Sequence, residues 1–192
     1  MPITHLTGSG WELNIKRLNV QTLKMPGYTR TRTISDYQVY HDGTKVANLS
    51  GTIAEQKGPS DNTLSGNKYD RRVEGGRYPL WTQYGTKYRT INYMKSKKAE
   101  VDFSVKPRPG IELIGTGKRT EILIHPAVGF LSSEGCIHPC NNLPNASSKI
   151  DFIDSRKRVI DLIEDLKKYC GAKFPKLDGH RIPDAWAVID EI

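Results

Sequence analysis

Asp36-Tyr-Gln-Val-Tyr-His-Asp42-Gly43-Thr-Lys-Val-Ala-Asn-Leu49 alternates apolar and polar side chains on either side of an Asp-Gly pair. Alternation with period two is the mark of a half-buried strand. Asp-Gly accepts the positive φ that a two-residue hairpin turn demands at both central positions. The stretch therefore predicts an antiparallel hairpin, and the same pattern spreads outward from it. Trp11 to Lys24 alternates in part, through Leu13, Ile15, Leu18, Val20 and Leu23, until Met25-Pro-Gly27 breaks it. Gly51 to Gln56 continues the hairpin, and the polar segment from Lys57 to Arg72 predicts a loop. A short strand is expected around Tyr78-Pro-Leu-Trp81, with Pro79 at a sheet edge or near the strand's start. Alternation returns over Tyr88–Met94, and Lys95–Lys106 is charged and closed by Pro107-Arg-Pro-Gly110. Ile111–Ile114 and Thr120–His125 complete the strands.

Beyond Asn145 the period changes. Ser148-Lys-Ile-Asp151 has the spacing of a capping box, and Ile153, Val159, Ile160, Leu162, Ile163 and Leu166 recur at near-helical intervals before Gly171. A helix is expected over about 149–170, and a second, short one over Ile182–Ile192 with Pro183 in its first turn. The fold class is thus mainly β with a C-terminal helical segment, α+β overall. It divides into a β-rich catalytic domain, 1–145, and a helical cap, 146–192, packed on it.

The chain has 192 residues, 36% hydrophobic, with a mean hydropathy of −0.56. That suffices for one good core, and no apolar run approaches the roughly 20 residues of a membrane span. A net charge of +8 favours anionic partners, whether nucleic acid, an acidic membrane surface or an acidic polymer such as cell wall, or else is simply a solvated basic surface. The lysines and arginines are scattered and form no nucleic-acid motif. The first ten residues lack the basic start and apolar run of a secretory signal. Three cysteines leave at least one thiol unpaired.

The chemistry concentrates in Glu121-Ile-Leu-Ile-His125-Pro-Ala-Val-Gly129-Phe-Leu-Ser-Ser133-Glu-Gly135-Cys136-Ile-His138-Pro-Cys140. A strand carries His125 to a sheet end, and a loop of small residues can fold Cys136 back beside it. A free thiol, with a pKa of about 8.5, becomes a working nucleophile when an imidazole takes its proton. Gly135 permits a tight backbone that leaves its own N–H and that of Cys136 free to form an oxyanion hole. His138 shares the face of Cys136 in an extended segment, and Arg119, Ser133 and Glu134 are near in sequence. Two other readings compete. Cys136, His138, Cys140 and His125 could bind zinc, although Cys-x-His-x-Cys is not a usual structural spacing. The basic surface could serve a non-enzymatic module that binds wall or nucleic acid. Cys170 is expected to pack.

The order Gly76-Arg-Tyr-Pro79, then Gly117-Lys-Arg119-Thr-Glu-Ile-Leu-Ile-His125, then Ser133-Glu-Gly-Cys136-Ile resembles the bacterial L,D-transpeptidase (YkuD-type) superfamily. The likeness is to its compact branch, with His and Cys about eleven apart, and it spans roughly residues 30–142. It implies a β-rich fold and attack on the L-to-D peptide bond of a peptidoglycan stem peptide. Cys136 would form a thioester that water or an amine resolves, without cofactor or metal. His125 would be the base, Gly135 and Cys136 the oxyanion hole, and Ser133 a support for the histidine. Two positions depart from the family pattern. Glu134 stands where a His is common, and His138 where an Arg is common. Arg119 therefore becomes the candidate for the substrate carboxylate, with Tyr78, Glu134 and His138 as further substrate contacts. A wall substrate and a bare N-terminus together imply delivery by a secretion apparatus, as an antibacterial effector with an immunity protein, or release as a phage lysis factor.

Overall fold

The Asp-Gly hairpin forms as expected. In a computed structural model, which describes residues 5–63, 71–133 and 135–191, β2 (Tyr28–His41) turns into β3 (Thr44–Gln56) through Asp42 and Gly43, at φ 46° and 78°. β1 (Trp11–Met25) is a single long strand antiparallel to β2. It is followed by β4 (Gly76–Thr82), β5 (Tyr88–Arg89), a five-residue helix α1 (Lys97–Val101), and β6 (Arg108–Pro109). Then come β7 (Ile111–Leu113), β8 (Ile122–Ile124), β9 (His138–Cys140), the helix α2 (Phe152–Cys170) and β10 (Arg181–Asp190).

Eight strands form one sheet in the order β8-β7-β4-β10-β1-β2-β3-β9, antiparallel throughout except for β1 with β10. The sheet's two ends meet. Ile124, on the last residue of β8, bridges Ile137, which immediately precedes β9. The His125 N–H donates to Ile137 O at 3.0 Å, and the Ile137 N–H donates to Leu123 O at 2.8 Å. The fold is therefore mainly β, a nearly closed sheet with one long helix, as the sequence pattern predicts.

Two expectations about its elements are corrected. Residues 182–190 are not a helix but most of the inner strand β10, flanked by β4 and β1. The segment 146–192 thus supplies both the helix and a central strand of the one sheet. Pro79 does not mark a sheet edge, since β4 lies between β10 and β7. The Ile114 N–H donates to Pro79 O at 3.0 Å, just past the end of β7, so the N–H that proline lacks interrupts no ladder.

The helix starts later than the capping-box spacing suggests. Asp151, not Ser148, caps it by accepting the Asp154 N–H at 2.8 Å, while Ser148 closes a turn with Asn145. Gly171 ends it at φ 55°. Its buried stripe of Val159, Leu162, Ile163 and Leu166 joins Trp11, Leu13, Ile15, Val39 and Ile53 in the main core, whereas Ile153 faces solvent. Each of those aliphatic side chains contributes about 1.5–3 kcal/mol by leaving water. The Trp11 indole N–H donates to Asp165 Oδ2 at 2.7 Å and fixes the helix over β1. Of the other sequence-derived elements, Tyr88–Met94 keeps only two residues as strand, and Ser96 caps the short α1 inside the charged segment. No helix among the described residues is long and apolar enough to cross a membrane.

Candidate active site

The junction that closes the sheet is also where the chemistry-bearing residues gather. β8 delivers His125 from one end of the sheet, and the segment bridged to it delivers Cys136 and His138 from the other. Cys136 and His125 line one cleft of about 430 Å³, with Tyr88, Arg108, Leu123 and Ser133 on its walls.

Tautomers follow from the acceptors. A carbonyl oxygen only accepts, so the nitrogen facing it carries the hydrogen. His125 Nδ1–H donates to Pro126 O at 2.8 Å, which leaves Nε2 as the basic atom. His138 Nδ1–H donates to His125 O at 3.1 Å, and its Nε2 accepts the Ser133 hydroxyl at 2.7 Å. The two imidazoles meet edge to face at 4.5 Å, and the Tyr88 ring lies 4.2 Å from the His125 ring on its own side. His125 is thus held by a carbonyl and two rings. Ser133 supports His138 through its hydroxyl rather than supporting His125.

Burial dominates the titration of all three groups. It holds His125 well below its ordinary 6.5, with His138 and Arg108 opposing protonation further. His138 is lowered to about 4, again by burial. Burial pushes the Cys136 thiol up, while the Leu123 N–H and Arg119 pull it back. At rest the pair is therefore neutral thiol and neutral imidazole, a base waiting for a proton rather than a preformed ion pair. The thiol sits between the Leu123 N–H, 3.4 Å away, and Glu121 O, to which it donates at 3.5 Å. That proton must leave the Glu121 carbonyl before the imidazole can take it. Among the described residues, the N–H groups of Gly135 and Cys136 donate to nothing, so neither is committed to a protein acceptor.

The buried histidines carry a measurable consequence. Their folded pKa values lie below the unfolded value, so the unfolded chain binds more protons as the pH falls. Their contribution is complete above about pH 6.5 and is lost as the pH falls, for His138 toward about pH 4. Denaturant melts should show stability falling between roughly pH 7 and 5, by about 2 kcal/mol for His138. His138→Asn is expected to remove one share, and an unchanged slope in that variant would refute the assignment.

The loop before Cys136 is clamped from the β1–β2 arm. The buried Arg32 guanidinium donates to Phe130 O, Asn145 O and Ser148 O, and it stacks 4.6 Å from the Phe130 ring. From β3, the Gln56 amide donates to Ser133 O at 2.9 Å.

Other expected site residues fall elsewhere. Arg119 lies behind Gly135 and does not line the cleft. Tyr78 is buried in the core, its hydroxyl donating to Glu74 O and accepting from Asn62. Glu134 lies outside the described residues. The zinc set disperses, since Cys140 belongs to a second apolar cluster with Ile34, Ala54 and Leu143, where burial pushes its thiol up to about 12. Among the described residues no three metal-type side chains converge. Cys170 is half-buried near the helix end.

Two wall residues escaped the sequence reading. Arg108 is held between the rings of Tyr88 and Phe103, donating to the Tyr88 hydroxyl at 3.0 Å and to Phe103 O. With Lys87 and Lys106 it makes the cleft cationic. The only signal was Lys106-Pro-Arg108-Pro-Gly110, which looks like punctuation until the fold brings it to His125. Against known proteins, no family model matches the chain, and neither the curated proteins nor the solved structures give a significant match.

Proposed function

We propose that the protein is a cysteine enzyme acting on the L-to-D peptide bond of peptidoglycan stem peptides. The observation that carries this reading is the convergence of Cys136 and His125 on one cleft at the sheet's seam. The motif likeness supplies the substrate, and the cleft supports it. A stem peptide bears free carboxylates, and Lys87, Lys106 and Arg108 offer them cations, with Glu121 the one acidic side chain among the described residues of the wall.

In this mechanism His125 Nε2 takes the thiol proton as sulfur attacks the carbonyl carbon of the L-to-D bond. The oxygen gathers negative charge against the N–H groups of Gly135 and Cys136. Collapse breaks the C–N bond, and the imidazolium returns its proton to the departing D-amino acid. A thioester on Cys136 remains. Water attack then gives carboxypeptidase activity, and amine attack gives a new peptide bond.

Mass spectrometry of purified muropeptides after incubation tests the reading. Loss of the terminal alanine, or a new cross-link, is the expected result. Unchanged muropeptides in the presence of protein whose Cys136 still reacts with iodoacetamide would overturn it.

A further inference from the structure

Among the described residues, Arg119 is a buried cation without an ion-pair partner. It closes a turn in which the Thr116 hydroxyl donates to Arg119 O at 2.8 Å, and it is only 4% exposed. Among the described residues, its Nε and Nη1 donate to nothing, and no carboxylate lies within ion-pair distance. Buried guanidinium groups are normally paired, and an unmet buried donor costs about 1–3 kcal/mol. The contrast with Arg17 and Arg32, whose donors are satisfied many times over, is plain.

What Arg119 does touch is the nucleophile loop. A Cβ added to Gly135 would come within 2.1 Å of its Nη2 and 3.2 Å of its Cζ, so the guanidinium points its Nη2 end at that glycine. Gly135 stands at φ 121°, a conformation that side chains also resist. Two independent constraints thus demand glycine there, and one of them is room for this cation. Burial lowers the Arg119 pKa, and Cys136, then Asp61 and Glu55, oppose that. Glu55 is itself engaged by Arg17. Around the sulfur stand Arg119 behind, Glu121 and the Leu123 N–H on the β8 side, Ser133 from the loop, His125 across the cleft, and Tyr88 and Arg108 on β5 and β6.

We propose that Arg119 is an electrostatic positioning residue: pressed on Gly135, its guanidinium favours the negative charge that Cys136 carries as a thiolate. The carbonyl oxygen held by the adjacent N–H groups gains from the same cation. It explains why an unpaired buried charge stands in this place, since the anion it complements exists only when the sulfur is ionised. The inference rests on Cys136 being the nucleophile and not on the identity of the substrate.

The test is alkylation of Cys136 by iodoacetamide, followed across pH and mapped to its peptide so that Cys140 and Cys170 do not contribute. Arg119→Met keeps the reach of the side chain and removes the charge. Its rate at about pH 8 should fall about tenfold, the equivalent of one pKa unit, with the pH midpoint displaced upward. Arg119→Lys, which keeps the charge, should stay within about threefold of wild type. The Met variant should melt no lower than wild type, because the unpaired charge is gone. Arg119→Gln is a second neutral variant, and either one folding suffices. A folded neutral variant with the wild-type pH profile overturns the proposal. So does an equal loss in Lys and in the neutral variant, which would make shape the cause. If both neutral variants fail to fold, Arg119 is a structural post and the proposal fails. Muropeptide turnover is not needed for any of these outcomes.

Discussion

Cys136→Ala should lower muropeptide turnover by at least about 10³-fold while binding of the same muropeptide stays within a few-fold of wild type. The asymmetry follows from the site. Cys136 is 7% exposed and its sulfur makes two weak contacts, to the Leu123 N–H and Glu121 O, so its removal leaves the walls of the cleft intact. Lys87, Lys106 and Arg108 would still hold an anionic ligand. What disappears is the only thiol on the cleft, and neither Cys140, in an apolar cluster, nor Cys170, at the helix end, can take its place. Turnover by mass spectrometry and affinity by calorimetry, measured on one preparation, check both halves. A variant that retains its full biological effect would instead identify a binding module.

The largest loss of stability is expected far from the sulfur. Arg17 and Glu55 form a bidentate pair across β1 and β3, at 2.7 and 2.9 Å, with both side chains sealed from solvent. Arg17 also donates to Val73 O at 2.7 Å and to Ser60 and Glu191. Burial pulls the guanidinium down, yet Glu55 and Glu191 more than offset it and leave its pKa above the ordinary value. Glu55→Ala strips both acceptors from a cation that cannot lose its charge, so unfolding should become about 3–5 kcal/mol easier. For a chain of this length that is roughly a 10 °C fall in Tm. The double variant Arg17→Met with Glu55→Leu should recover most of the loss, because burying two apolar chains requires no desolvated charge. If the double variant is as unstable as the single one, the pair is not the source. The effect should also reach the cleft, since Gln56, next to Glu55, is the residue that holds Ser133 O.

Local chemistry was legible in the sequence, and pairing at long range was not. Asp42-Gly43 declares its hairpin because the turn needs two positive φ values, and these residues tolerate them. His125 at a strand end and Gly135-Cys136 after it were equally plain, since strand, loop and glycine are all near neighbours. The C-terminal strand was misread because Pro183 and the acidic residues resemble a helix start. Its alternation is also erased, as Ala185, Ala187, Val188 and Ile189 are all buried in the middle of the sheet. No local window announces that residue 186 will lie beside residues 12 and 79. Arg108 and Tyr88 failed for the same reason, being distant in sequence from the histidine they surround. Arg119 is close to the motif in sequence, but sequence proximity does not say which side of the loop a side chain occupies, and it lies against Gly135 rather than on the cleft.

The sheet is a ring with two joints. One is β10, the sole link between the β8-β7-β4 half and the β1-β2-β3-β9 half on its side of the ring, and the other is the bridge between Ile124 and Ile137. During synthesis, a chain that has not yet emerged as far as residues 181–190 can hold its histidine and its cysteine only on two loosely joined half-rings. The thiol and its base are then brought into lasting register when a strand some fifty positions further along slides into the far joint. The register of the proposed site thus depends on β10, a strand far from it in the sequence.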